Sequence, residues 1–465
     1  MLLENLLIVD AGAKGVSVAR LEDGKVILVK NAVPGDIGDI QITKKRRKYI
    51  EGNLVTLKEA SKDRINPKCK HFNVCGGCKW QHMSYTAQLK YKQNEVVNNF
   101  KKIAFVSEPE SNTIIGSDKI YHYRNKMEFS FSAKKWLSLE EINSGVEILD
   151  KNALGLHIPG MWNKVVDLEE CFLQESPSNE IRLAIKSYAI ENNLTFYDLR
   201  EKNGLLRTLM IRSSSTQELM VLIQFAEDNK EQISKLLNYL KVKFPQITSL
   251  LYTINKKEND VLYDLEIINF AGKDFISEKI ENLTFKVGPK SFFQTNSDQA
   301  VVLYKKIREL VGEHKDKIAY DLYSGTGTIT QFMANSFKQI IGIESVKEAV
   351  DAAKISAKEN NINNVSFVCG DMKEILNDEF INQHGVPEII ITDPPRDGMH
   401  HNVIKNILNI KPQKIIYVSC NSATQARDFN LMKEEYKITL IQPVDMFPQT
   451  FHVENIIVLE RILNS

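Results

Sequence analysis

The sequence predicts an α/β protein in three parts: a small OB-like β-barrel over residues 1–60, a central mostly β domain over 61–285, and a C-terminal doubly wound sheet over 286–465. Three observations carry this. From about residue 286 onward strands and helices alternate, the pattern of a parallel sheet covered on both faces. Residues 1–60 hold only short β-rich runs between turn residues. The chain has 465 residues, 43% hydrophobic and 26% charged, enough for two or three ordinary globular cores.

In the first part, β-rich runs at 6–9, 15–19, 25–29 and 37–43 are separated by turn residues at Gly12, Asp23-Gly24 and Pro34-Gly35. Short strands with tight turns over this length suit a compact oligonucleotide-binding type of barrel. Lys44-Lys45-Arg46-Arg47-Lys48 follows. Five consecutive cations repel one another, so a phosphate partner explains them better than a self-paired surface does. The net charge is only +1, yet residues 1–136 carry 24 Lys and Arg against 14 Asp and Glu. That asymmetry points a polyanion at the front of the chain; a solvated charged face is the plainer alternative. The first ten residues have no basic start and contain Glu4 and Asp10, unlike a secretory signal. No apolar run reaches the roughly 18 residues of a membrane span. A cytoplasmic, monomeric protein with no membrane partner is expected. In a reducing compartment its six cysteines argue for metal or catalytic roles over disulfides.

The second part begins with Cys69-x5-Cys75-Gly76-Gly77-Cys78. Three thiols within ten residues, with two glycines between them, read as a metal loop in need of a fourth donor. Cys171 is the candidate donor, with a core role as its alternative; spacing alone leaves zinc and an iron-sulfur cluster both open. A helix is predicted over 86–103. β-Runs follow at 121–131, 206–213, 219–225 and 247–252, with a helix over 180–192 among them.

In the third part, the strand at 318–322 runs into Tyr323-Ser324-Gly325-Thr326-Gly327-Thr328, and a second strand ends in Glu344, 23 residues after Asp321. An acid at that position accepts hydrogen bonds from a ribose diol. The loop lacks the third glycine of the dinucleotide fingerprint, so a nucleoside without pyrophosphate fits better, S-adenosylmethionine being the common one. Asp371 follows the third strand, where it can meet an adenine edge. The fourth strand leaves through Asp393-Pro394-Pro395-Arg396, whose prolines fix the backbone. Strand five, Ile415-Ile416-Tyr417-Val418, delivers Ser419-Cys420-Asn421 at the sheet rim where open α/β sheets bind ligands. Cys420 reads there as a nucleophile, against the bland alternative of a small buried hydrophobe. Cys369 reads as core. The last strand region carries His452-Val453-Glu454.

Taken together, Ser291-Phe292-Phe293-Gln294-Thr295-Asn296, the D-L-Y-S-G-T-G loop, D-P-P-R, S-C-N and H-V-E resemble, in order, the motifs of the bacterial RNA 5-methyluridine methyltransferases. The front module resembles a TRAM domain. The C-x5-C-G-G-C loop resembles the iron-sulfur loop of the branch acting on 23S ribosomal RNA. The resemblance implies a Rossmann-like methyltransferase sheet and 23S ribosomal RNA as substrate. It implies S-adenosylmethionine contacts from Gln294, Tyr323, Glu344, Asp371 and Asp393, with Cys420 as nucleophile and Glu454 as base. It also implies a [4Fe-4S] cluster on Cys69, Cys75, Cys78 and Cys171. Three other readings compete: a transfer-RNA uracil methyltransferase, an amino-group RNA methyltransferase that needs no cysteine, and a non-catalytic RNA-binding assembly factor.

Overall fold

The computed structural model describes residues 1–148 and 150–463. Five strands, β1 (Leu2–Ala11), β2 (Ser17–Arg20), β3 (Val26–Lys30), β4 (Ile37–Lys45) and β5 (Tyr49–Glu59), close into a barrel in the order β1-β2-β3-β5-β4. Their inward residues Ile8, Ala19, Ile27, Val29, Ile40 and Ile50 form its core. Buried Asp36 fastens the base by accepting from Val33 N at 2.7 Å, Ser61 N at 3.0 Å and the Arg64 guanidinium at 2.5 Å. The basic run makes the β4–β5 tip, with all five side chains exposed.

By Cα proximity the chain falls into two compact units, Met1–Asn66 with Trp80–Ile120 and Asp298–Ser465, and Pro67–Lys79 with Tyr121–Ser297. The second unit has a seven-stranded sheet made of β6 (Lys126–Ser132), β7 (Ala153–Ile158), β8 (Met161–Asp167), β9 (Leu206–Ser213), β10 (Leu219–Phe225), β11 (Ser249–Ile254) and β12 (Ile268–Gly272). Their spatial order is β12-β11-β10-β9-β6-β7-β8. Every neighbouring pair is antiparallel except β10 and β11. A hairpin of β13 (Ile276–Ile280) and β14 (Leu283–Val287) follows. The predicted helix over 180–192 is present as Ser178–Glu191. The hairpin β7–β8 and the helix Lys230–Lys243 were not legible in the sequence.

The first unit's other sheet comprises β15 (His314–Leu322), β16 (Phe337–Glu344), β17 (Val365–Cys369), β18 (Ile389–Thr392), β19 (Lys414–Ser419), β20 (Tyr436–Val444) and β21 (Glu454–Arg461). The order is β17-β16-β15-β18-β19-β21-β20: five parallel strands and an antiparallel pair at one edge. β18 and the interior of β19 are apolar and buried, as a doubly covered sheet requires. The helix predicted over 86–103 forms as Tyr85–Lys102. It packs in this unit rather than with the central strands: Val96 and Phe100 enter the sheet's core, and Asn99 Nδ2 donates to Ser422 Oγ at 2.8 Å. Among the described residues no helix is long and apolar enough to cross a membrane.

Candidate active site

Register builds the site. β21 runs antiparallel to β19 with Ser419 opposite Asn455, so the next pair outward is Cys420 and Glu454, side by side beyond the last ladder rung. On the other side Thr392 pairs with both Leu322 and Tyr417, which puts Asp393 at the same rim as Tyr323. Leu322 pairs with Ile343, and Glu344 with Cys369, continuing the rim across β16 and β17.

Cys420 is half-buried, and its turn is tightly held. Asn421 N donates to Ser419 Oγ at 3.1 Å, and Asn421 Oδ1 accepts from Ala423 N at 3.2 Å, capping the helix Ser422–Asn430. Asn421 Nδ2 and Thr424 Oγ1 both donate to the Arg396 carbonyl, at 3.0 and 3.1 Å, tying the Asp-Pro-Pro-Arg loop to the cysteine turn. Burial first, then the neighbouring Glu454 and Asp393 charges, push the Cys420 thiol up to about 11; the positive charge of Arg396 opposes them. Glu454 is 6% exposed. Burial and the facing Asp393 hold its carboxyl well above the usual carboxylate range, and burial does the same to Asp393. Beneath them Asp321 accepts from Thr330 Oγ1 at 2.5 Å and is pushed up to about 7, chiefly by burial. Tyr304, on the helix Ser297–Val311, faces Asp393, Asp321 and Glu454, and its phenol is raised by burial and by their charges.

The glycine loop begins with Tyr323 in the left-handed region at φ 61°, an unusual conformation for a bulky residue and one that accumulates at functional sites. Gly327, at φ 74°, must be glycine, because a Cβ there would lie 2.5 Å from the Phe367 ring. Gly325 faces open space, so the loop presents bare backbone. Glu344 Oε2 accepts from Gly325 N at 3.0 Å and Oε1 from Val346 N at 2.9 Å, which orients its carboxylate. Asp371 caps the short helix Met372–Ile375 through Lys373 N at 3.0 Å and also pairs with the Lys373 ammonium. Tyr323 is pushed up to about 12 by burial and by the charges of Asp371, Asp428 and Glu344, so these acids share one neighbourhood. An open glycine loop flanked by acceptors at the tips of β16 and β17 fits a nucleoside. Gln294 belongs to the other unit, where its carbonyl accepts from Asn125 Nδ2 at 2.9 Å.

Cys69, Cys75, Cys78 and Cys171 all belong to the second unit, and none of them is in a disulfide. Burial raises Cys75 to about 11, and Cys171 and Cys69 add to it; Cys69 likewise rises through burial and the charge of Cys171. Tyr121 feels both Cys78 and Cys69. The four sulfurs therefore lie in one electrostatic neighbourhood, though among the described residues no group of three or more His, Cys, Asp or Glu is close enough to hold a single metal ion. The Cys171 turn is clamped by Asn179, which accepts from Cys171 N at 2.9 Å, and by buried Arg182, which donates to the carbonyls of Leu168 and Glu169. Gly76 is required by the close approach of the loop to the His157 carbonyl, 2.7 Å from where a Cβ would stand. Burial likewise raises Cys171.

Sequence reasoning assigned no role to Arg396, Tyr304 or Thr330. Arg396 was visible inside D-P-P-R, whereas Tyr304 reads as one more apolar position of a helix until the fold turns it toward the carboxyl groups.

The sequence profile of the family described as tRNA (Uracil-5-)-methyltransferase matches residues 263–462, and that of the TRAM domain matches residues 5–55. An uncharacterized RNA methyltransferase of Bacteroides thetaiotaomicron is 50% identical, covering 96% of this chain and 99% of its own. Another, from Porphyromonas gingivalis, is 46% identical, covering 98% and 99%. Among solved structures, Pyrococcus abyssi tRNA (uracil-54, C5)-methyltransferase in complex with S-adenosyl-L-homocysteine is 28% identical with a TM-score of 0.74, covering 98% of this chain and 100% of that one. The chain therefore belongs to the family of S-adenosylmethionine-dependent RNA uracil-5-methyltransferases, with a TRAM domain at its front.

Proposed function

We propose that the chain methylates C5 of a uracil in 23S ribosomal RNA, giving 5-methyluridine, through a covalent bond from Cys420 to C6 of the base. The pairing of Cys420 with buried Glu454 across β19 and β21 is the observation that supports this most. Uracil C5 is a weak nucleophile. Addition of the Cys420 thiolate to C6 pushes the C5=C6 electron pair toward C5 and O4 and makes C5 reactive. S-adenosylmethionine supplies an electrophilic sulfonium methyl when bound. Tyr323, Glu344, Asp371 and Asp393, all at the rim of one sheet, are the residues that would hold it. After transfer, Glu454 takes the C5 proton, the electron pair reforms C5=C6, and Sγ leaves as thiolate. A carboxyl raised toward neutrality suits a base working near physiological pH.

In the same reading Cys69, Cys75, Cys78 and Cys171 hold a [4Fe-4S] cluster with a structural role, since the reaction balances without electron transfer. The target base leaves its stack to reach the rim, which costs least in an RNA loop. The C-x5-C-G-G-C loop together with the front barrel supports ribosomal RNA. Transfer RNA is the second reading, favoured by the P. abyssi neighbour, whose substrate its name gives.

Trapping with 5-fluorouracil-containing RNA tests the chemistry. Fluorine cannot leave C5 as a proton, so a stable protein–RNA adduct is expected from the wild type and none from Cys420→Ala; absence of a Cys420-dependent adduct overturns it. Mapping 5-methyluridine in the ribosomal and transfer RNA of a deletion strain decides between the two substrates.

A further inference from the structure

Cys420 and Glu454 stand beyond the last rung of the β19–β21 ladder, so their spacing is set by what holds the segment on each side. On the side of the base, Glu454 pairs with Val444 of β20, and the next residue, Asp445, accepts from the buried Lys92 ammonium at 2.6 Å. On the side of the thiol, Ser422, two residues after Cys420 and 2% exposed, accepts at Oγ from Asn99 Nδ2 at 2.8 Å. Lys92 and Asn99 belong to one helix, Tyr85–Lys102, seven positions and so about 10 Å apart along its axis. Seven residues make nearly two full turns, which puts both side chains on one face. Val96 between them lies in the same buried core as Tyr417 of β19 and Ile457 of β21. One helix therefore grips the residues behind both reacting groups. The cysteine turn has further ties, through the Arg396 carbonyl and through Gln425, which exchanges hydrogen bonds with Asn455 at 3.1 and 2.7 Å. These join it to neighbouring strands. Asn99 joins the first residue of the helix behind Cys420 to the element that also holds the base.

We propose that Asn99 is a positioning residue: its hydrogen bond to Ser422 holds Sγ of Cys420 at the distance from the Glu454 carboxyl that lets both meet one uracil. Cys420 adds to C6 and Glu454 takes the proton from C5, so the two groups must reach neighbouring atoms of a single rigid ring. Displacing a reacting group by about 1 Å costs on the order of a hundredfold in rate. Asn99 touches no reacting atom and acts through Ser422. Leucine at position 99 keeps the bulk of the side chain and loses the donor; alanine at position 422 removes the acceptor from the other end of the same bond.

The role rests on the covalent reading, and trapping separates the two. Full-length wild type, Asn99→Leu, Ser422→Ala and the double variant are compared, with thermal melting as the check on folding. Total RNA of a deletion strain, which keeps the target uridine unmodified whichever RNA holds it, is the methyl acceptor; the same RNA from cells grown with 5-fluorouracil is the trap. Each single variant is expected to lower kcat and the rate of adduct formation at saturating RNA by about tenfold or more, with KM for RNA and for S-adenosylmethionine within about twofold of the wild type. The double variant should be no slower than the slower single one, because both changes remove one bond. Unchanged kcat and trapping rate in a folded single variant, even one with a lowered melting temperature, overturn the proposal. So does a loss confined to KM for RNA, or full additivity in the double variant. Should Asn99→Leu fail to fold, Ser422→Ala decides alone by the same measures of kcat, KM and trapping. A wild type that forms no Cys420 adduct removes the covalent reading and this role with it; an adduct that forms equally fast in wild type and variants removes the role alone.

Discussion

Asp321, Asp393 and Glu454 are three carboxyl groups in one buried neighbourhood, and all are raised, so the folded protein holds their protons at pH values where the unfolded chain has lost them. For an acid raised in this way, the stability it contributes is fully present below the unfolded value near 4 and is lost as pH rises through the folded value near neutrality. Asp393→Asn removes one such group. We expect its melting temperature to exceed that of the wild type at pH 8, by at least about 1 kcal/mol in equivalent stability, with the gap narrowing toward pH 5; equal shifts at both pH values would contradict this. In the proposed mechanism, this instability accompanies an ionisable carboxylate beside the thiol. Glu454 and Cys420 could be picked out from H-V-E and S-C-N. Their displaced ionisation could not, because burial is set by what the fold stacks over them.

At the scale of elements, one segment shapes the approach to Glu454. The loop between β20 and β21 carries Asp445, whose Oδ1 receives the Lys92 ammonium at 2.6 Å and Phe447 N at 3.0 Å, while Oδ2 receives Tyr85 OH at 3.0 Å. Lys92 and Asp445 are both fully buried. Gln88, one turn earlier, exchanges hydrogen bonds with Gln449 in both directions, at 3.1 and 2.9 Å. Lys92→Met strands a buried carboxylate and should cost about 3–5 kcal/mol, read as a lowered urea midpoint. Lys92→Met with Asp445→Leu should recover much of the loss; a single variant as stable as the wild type would show the pair to be dispensable. A lysine in a basic helix gives no hint of this, since its partner lies more than 350 residues away in sequence. The cysteine loop is the opposite case, its thiols being plain in the sequence. Anaerobically purified protein is expected to be brown with about four irons per chain, whereas colourless protein with one zinc would remove the cluster.

Across the whole molecule, five of the 24 cations in residues 1–136 stand side by side in the exposed β4–β5 tip of the barrel. Of its five cations, Arg46 approaches Glu51 at 3.5 Å. Replacing Lys44, Arg47 and Lys48 with alanine should weaken RNA binding and lower the slope of log affinity against log salt by about 2. The rate at saturating RNA should stay the same; an unchanged slope would move the phosphate contacts elsewhere. By itself the sequence determined the barrel, the alternating C-terminal sheet and the rim residues Tyr323, Glu344, Asp393, Cys420 and Glu454, because local periodicity, turn chemistry and short motifs are written in neighbouring residues. Only the tertiary structure decided that Cys420 lies beside Glu454, that the Arg396 carbonyl ties the Asp-Pro-Pro-Arg loop to the cysteine turn, and that the helix Tyr85–Lys102 braces the loop before β21. Those outcomes follow from strand register and burial, which join residues that sequence distance keeps apart.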